Sequence, residues 1–161
     1  MKKTIVITLC ALTLIITSLV WWFSDTQVIK RQTHELAHVL SVDRSDGKTR
    51  RAHKNQRFAN LLAASASCRV DTPHYQTELH HTDLVSAHHM LVHSCQSSSA
   101  TPTDIHISTP DRHRSTVTAD LDLTVTEKEG TRHHETCRAV LLWQKNAQGQ
   151  WKLHTIDVIA R

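Results

Sequence analysis

The 161-residue chain is predicted to fold as α+β, helices first and a curved antiparallel sheet after, on three observations. Apolar residues in the first two thirds recur three and four positions apart, the spacing of a helix with one buried face. After about residue 104 they alternate one in two with polar residues, the spacing of strands with one buried face. Two of the three glycines, Gly130 and Gly149, fall between these alternating runs and mark hairpin turns. The length accommodates one domain of ordinary size.

Met1-Lys2-Lys3 carries positive charge, and Ile5 to Phe23 follows without a charged residue. A helix of that length is about 28 Å long, close to the hydrocarbon thickness of a bilayer. The leading lysines favour a cytoplasmic N-terminus, and Trp21, Trp22 and Phe23 stand where an aromatic belt holds the outer end. A cleaved signal peptide has a shorter apolar core ending at a small-x-small site, whereas this one ends in two tryptophans. The sequence therefore predicts a single-pass protein that contacts the lipid bilayer through residues 5–23. Its C-terminal domain would lie outside the cytoplasm, in the periplasm if the cell has two membranes.

From Thr26 to Val42, Val28, Ile29, Leu36, Val39 and Leu40 cover an arc of about 120°, an amphipathic helix beside the membrane. Ser45-Asp46-Gly47 breaks it. A second helix is predicted over Arg51–Ser65, with Phe58, Leu61 and Leu62 on one side, and Asp71-Thr72-Pro73 reads as a turn. Thr82 or Asp83 caps a third helix running to about Ser97, with Leu84, Val85, His88, Leu91, Val92 and Cys95 inward. Ser97–Thr103 reads as a Ser/Thr/Pro-rich loop. Val117, Ala119, Leu121, Leu123 and Val125 then form one face of a strand, and Cys137, Ala139, Leu141 and Trp143 one face of the next. Pairing Val117 with Leu141 sets Ala119 against Ala139 and Leu121 against Cys137 on a single face. A last strand opens at Trp151 and ends near Ile159. Its alternation breaks between Leu153 and Ile156, the mark of a β-bulge. The predicted organisation is 1–23 stub and anchor, 24–50 juxtamembrane helix and loop, 51–161 extracytoplasmic domain.

Cys68, Cys95 and Cys137 lie beyond the anchor, where a disulfide is chemically permitted. Of the three pairings Cys68–Cys95 is favoured, with Cys137 a small buried hydrophobe on a strand, and three free thiols are the near rival. Of 19 Lys and Arg, two precede the apolar stretch, which leaves 17 against 15 Asp and Glu. That near balance argues against nucleic acid as a partner. The basic run Arg44, Lys48, Arg50, Arg51, Lys54 and Arg57 reads as a solvated face.

The stretches STVTADLDLTVTEKEG and TCRAVLLWQKNAQGQWKLHTIDVI, with the helices before them, resemble the nuclear transport factor 2-like (SnoaL-like) superfamily over roughly residues 51–161. The resemblance implies a curved sheet wrapped by helices into a cone with a pocket. That superfamily includes isomerases and dehydratases, which use an acid or a histidine inside the cone, and also non-enzymatic, membrane-anchored assembly subunits. The inward rows here carry no carboxylate, so no catalytic residue is carried over.

His34-Glu35-Leu36-Ala37-His38 matches H-E-x-x-H. On a helix its histidines lie about 40° apart, able to share a zinc ion, with Glu35 placed to activate water. Lys30 and Arg31 occupy the preceding turn on the same face and oppose a dication. A third ligand would come from His53, His74 or Glu78, none in a recognised frame. Among the other histidines, His89 and His93 form an i,i+4 pair and His81 and His88 an i,i+7 pair, while His133-His134-Glu135 is generic. The leading expectation is a non-catalytic membrane-anchored module that contacts a protein or small ligand without a cofactor, with homodimerisation through the sheet as a further partner. The alternatives are a zinc peptidase using Glu35, His34 and His38, and an isomerase- or lyase-like enzyme in the cone.

Overall fold

A computed structural model of the chain describes Thr13 and residues 24–72, 75–109 and 111–160. The anchor expected at 5–23 therefore lies almost wholly outside the described residues. Among the described residues no helix is long and apolar enough to cross a membrane. Helix α1 spans Asp25–Leu40 and α2 Lys48–Leu61, and strands β1 (Leu62–Thr72) and β2 (Tyr75–His80) follow. Helix α3 (His81–Ser94) leads into β3 (Cys95–Ser108), β4 (Arg114–Glu127), β5 (Arg132–Lys145) and β6 (Trp151–Ala160). One curved six-stranded sheet in the order β2-β1-β6-β5-β4-β3 is antiparallel except where β1 runs parallel to β6. The three helices pack on one of its faces.

Strand alternation decides which face is buried. Val117, Ala139, Leu141, Trp143 and Leu153 meet Ile29, Leu36, Val39, Phe58 and Leu84 from the helices in one core. Each large aliphatic side chain removed from water there contributes about 1.5–3 kcal/mol. Helix α1 thus belongs to the same core as the sheet. The register between β4 and β5 is the expected one, Val117 with Leu141, Ala119 with Ala139 and Leu121 with Cys137. The bulge in β6 lies at His154, because Leu142 pairs with Thr155 while Trp143 pairs with Leu153.

Four expectations are corrected. Helix α2 ends at Leu61, and Leu62–Thr72 is a strand, because pairing with β6 overrides the helix-compatible alanines. Tyr75–His80 is a second strand rather than the approach to a helix. Helix α3 starts at His81, with Asp83 inside its first turn accepting from the His80 N–H at 3.4 Å, and it ends at Ser94. The expected Ser97–Thr103 loop is part of the edge strand β3, which tolerates Pro102 since an edge strand needs no second ladder. A bulge follows, where Asp104 takes a φ of 48°. Beyond that edge, Val42 and Ser98 exchange backbone hydrogen bonds of 2.8 and 2.9 Å.

The favoured disulfide is absent. Cys68, Cys95 and Cys137 are free and buried, Cys68 in the main core and Cys95 in a smaller cluster with Val42 and Val92.

Candidate functional site: an apolar cavity under the helices

Two small residues face each other at the middle of the sheet, Ala119 on β4 and Ala139 on β5, both about 1% exposed. Larger pairs flank them, so the sheet is hollowed at this point. The helices arch over with Leu36, Phe58 and Leu84, and a cavity of about 280 Å³ remains between. Leu121, Leu123 and Val125 extend its wall toward one end of β4.

Of its polar groups, Ser99 is exposed and the others are engaged or inert. The Thr33 hydroxyl donates to the Ile29 carbonyl at 2.9 Å. Ser98 donates to the Leu40 carbonyl at 2.7 Å and accepts from the Val42 N–H at 3.0 Å. Burial, with Asp157 nearby, pushes the Cys68 thiol up to about 11. Burial also raises Cys137, with Glu135 and Asp120 adding to it. Protonated thiols of this kind are poor nucleophiles. Among the described residues, no carboxylate, imidazole, amine or guanidinium lines the cavity. Walls of this composition hold a dry space that favours an apolar guest.

Helix α1 turns Thr33, Leu36, Ala37 and Leu40 toward the cavity, which leaves His34 and His38 exposed on its other side. Glu35 is held by Arg57, with 2.6 Å between Oε1 and the guanidinium. His38 and His53 border a separate surface recess together with Arg50, Lys54, Arg57, Asp43 and Asp46, where Asp46 is already engaged by Lys54 and Arg50. Glu78 lies on β2, and His74 is outside the described residues. Among the described residues no three His, Cys, Asp or Glu are grouped to hold a metal ion.

Two histidines near the cavity differ in kind. His88 is 3% exposed and stacks on Phe58 at 4.3 Å between ring centroids. Its Nε2 lies 3.0 Å from the Val39 carbonyl and its Nδ1 2.9 Å from the Asn55 side-chain oxygen. Burial lowers its pKa against the opposing pull of Val39. The ring thus joins three helices. His133 stands across from Val125 on the cavity face of β5, beyond Cys137 and Glu135, and its Nε2 is 3.0 Å from Glu127 Oε1. Counting back by twos from Cys137 places Glu135 and His133 on this face, a signal present in the sequence that reading the His-His-Glu run as generic passes over.

No family model matches the sequence, and no curated protein matches it. Solved structures do. A proposed scytalone dehydratase from Novosphingobium aromaticivorans superposes with a TM-score of 0.66 at 14% identity, over 85% of this chain and 84% of that one. A proposed aromatic ring hydroxylase from the same organism gives 0.69 at 11% identity, over 84% and 88%. A nuclear transport factor 2 (NTF2-like) superfamily protein from Salmonella enterica gives 0.64 at 13%, over 83% and 89%. The chain has the NTF2-like fold. At these identities the likeness extends to the fold alone. In this NTF2-like cone the cavity occupies the space between sheet and helices, and its walls are this chain's own.

Proposed function

We propose that the protein is a membrane-tethered extracytoplasmic binding module without catalytic activity, whose cone takes an apolar small ligand. The observation that carries this reading is a cavity of about 280 Å³ whose walls present no acid or base. That is roughly twice the ~150 Å³ of an engineered apolar cavity that takes benzene, so a bicyclic hydrocarbon or short branched chain is the fitting size. Tethering rests on the apolar run 5–23 behind Lys2 and Lys3. The fluorescence of N-phenyl-1-naphthylamine should rise saturably on adding the protein, and naphthalene should compete. Ala139→Leu and then Ala139→Phe should weaken binding progressively, with little change in the unfolding midpoint. Equal binding by all three proteins, or none by the wild type, removes the proposal.

A second reading has one observation in its favour. His133 continues the Cys137 row of β5 beyond the cavity lining, and its Nε2 lies 3.0 Å from Glu127 Oε1, a contact that supports reading it as the base of an isomerase or lyase. The dehydratase and hydroxylase descriptions of fold neighbours agree with it in kind. It requires exchange of the α-protons of a bound ketone such as 1-tetralone with solvent deuterium, abolished by His133→Ala. Exchange at the buffer rate removes this reading and leaves the first standing.

A further inference from the structure

The outer face of α3 carries an arrangement that neither the core nor the cavity explains. His89 and His93 are one turn apart, both exposed, and their rings meet at 4.3 Å between centroids with planes tilted by 43°. Neither ring makes a hydrogen bond within the described residues. Met90 is 66% exposed, the most exposed large hydrophobic residue described. An unbranched thioether left in water has no packing role. On a helix, positions 89, 93 and 90 fall at about 0°, 40° and 100°, so the two imidazoles and the thioether share one face with His93 in the middle.

We propose that His89, Met90 and His93 form a surface site for monovalent copper. Imidazole nitrogen serves copper and zinc alike, and the soft thioether sulfur is the ligand that tips the set toward Cu(I). No carboxylate joins the pair, since no group of three His, Cys, Asp or Glu occurs among the described residues. A site without negative charge favours a singly charged ion over a dication. The pair His34 and His38 has the same spacing but lies beside Lys30 and Arg31 and has no sulfur neighbour, so it serves as an internal contrast. Cys68, Cys95 and Cys137 are buried and not offered to an ion at the surface.

The test is anaerobic titration of the full chain with Cu(I) against the chelator bicinchoninate, with Zn²⁺ titrated separately. One Cu(I) per chain is expected. His89→Ala and His93→Ala should each weaken it by about tenfold or more, the scale that losing even an outer-shell partner reaches. Met90→Leu should weaken Cu(I) and leave the weaker Zn²⁺ binding unchanged, while a His34→Ala/His38→Ala double variant should leave both unchanged. All these side chains are exposed, so far-ultraviolet circular dichroism should be the same throughout. Failure to hold copper against the chelator overturns the proposal. So does equal retention by the His89 and His93 variants, or an equal shift of both metals in Met90→Leu.

Discussion

Asp46, between α1 and α2, accepts three hydrogen bonds through its carboxylate. Its Oδ2 accepts from Lys54 Nζ at 2.5 Å and from the Asp43 N–H at 3.0 Å, and its Oδ1 accepts from Arg50 at 3.1 Å. Lys54 also donates to the Ser41 carbonyl at 2.7 Å, so the pair fastens the end of α1 to α2. Burial pushes the Asp46 carboxyl up, but Lys54, the Asp43 N–H and Arg50 together bring it down to about 2 from 3.8. A folded-state value below the unfolded one gives stability that is complete above pH 3.8 and is lost as the pH falls toward 2. Urea unfolding followed across that window should show the loss in the wild type and a shallower slope in Asp46→Asn. At neutral pH, Asp46→Ala leaves the Lys54 charge buried without its partner and should cost about 3–5 kcal/mol. An acid slope unchanged in Asp46→Asn would mean that this pair does not shape the pH dependence.

Among the elements, α3 depends on His88 for its place. Replacing it with Ala removes the stack on Phe58 and leaves the Val39 carbonyl without its ring donor, a loss of about 3 kcal/mol by urea denaturation. A change below 1 kcal/mol would show that the three-helix junction holds without the ring. How much of each element the sequence discloses follows from its neighbours. The β4–β5 register is readable because Thr and Asp alternate with Val, Ala and Leu over the whole of β4, and a slip by one residue would bury that entire polar row. Strand β1 is hidden because Ala63, Ala64, Ser65 and Ala66 suit helix and strand alike, and its parallel partner β6 is far away in the chain. Strand β3 resembles a loop because, at an edge, its polar outer face and Pro102 carry no penalty. As for the site, the Ala119–Ala139 pairing is legible, whereas Glu135 and His133, which continue the Cys137 row, go unread. That two opposed alanines would leave a hollow is legible only once Leu36, Phe58 and Leu84 are known to arch over them.

At the scale of the molecule, α1 ties any membrane tether to the cone. Asp25 at its start accepts from Lys145 Nζ and Trp151 Nε1, both at 3.0 Å, so the first turn is held at the β5–β6 end of the sheet. Its buried side chains Ile29, Leu36 and Val39 are core rather than linker. Two truncations should therefore behave differently. If the proposed tether holds the chain, removal of residues 1–23 should move it from the membrane to the soluble fraction while keeping its unfolding midpoint and its binding of N-phenyl-1-naphthylamine. Removal through Ser41 should expose the core and give a chain without a cooperative transition. For the shorter truncation, naphthalene at one hundred times its Kd should raise stability by about 2.7 kcal/mol, since a ligand bound only by the folded state stabilises it by mass action. The same concentration should do far less for Ala139→Phe. A 1–23 truncation that stays with the membrane would place the attachment elsewhere, and equal stabilisation of both proteins would place the hydrocarbon outside the cone.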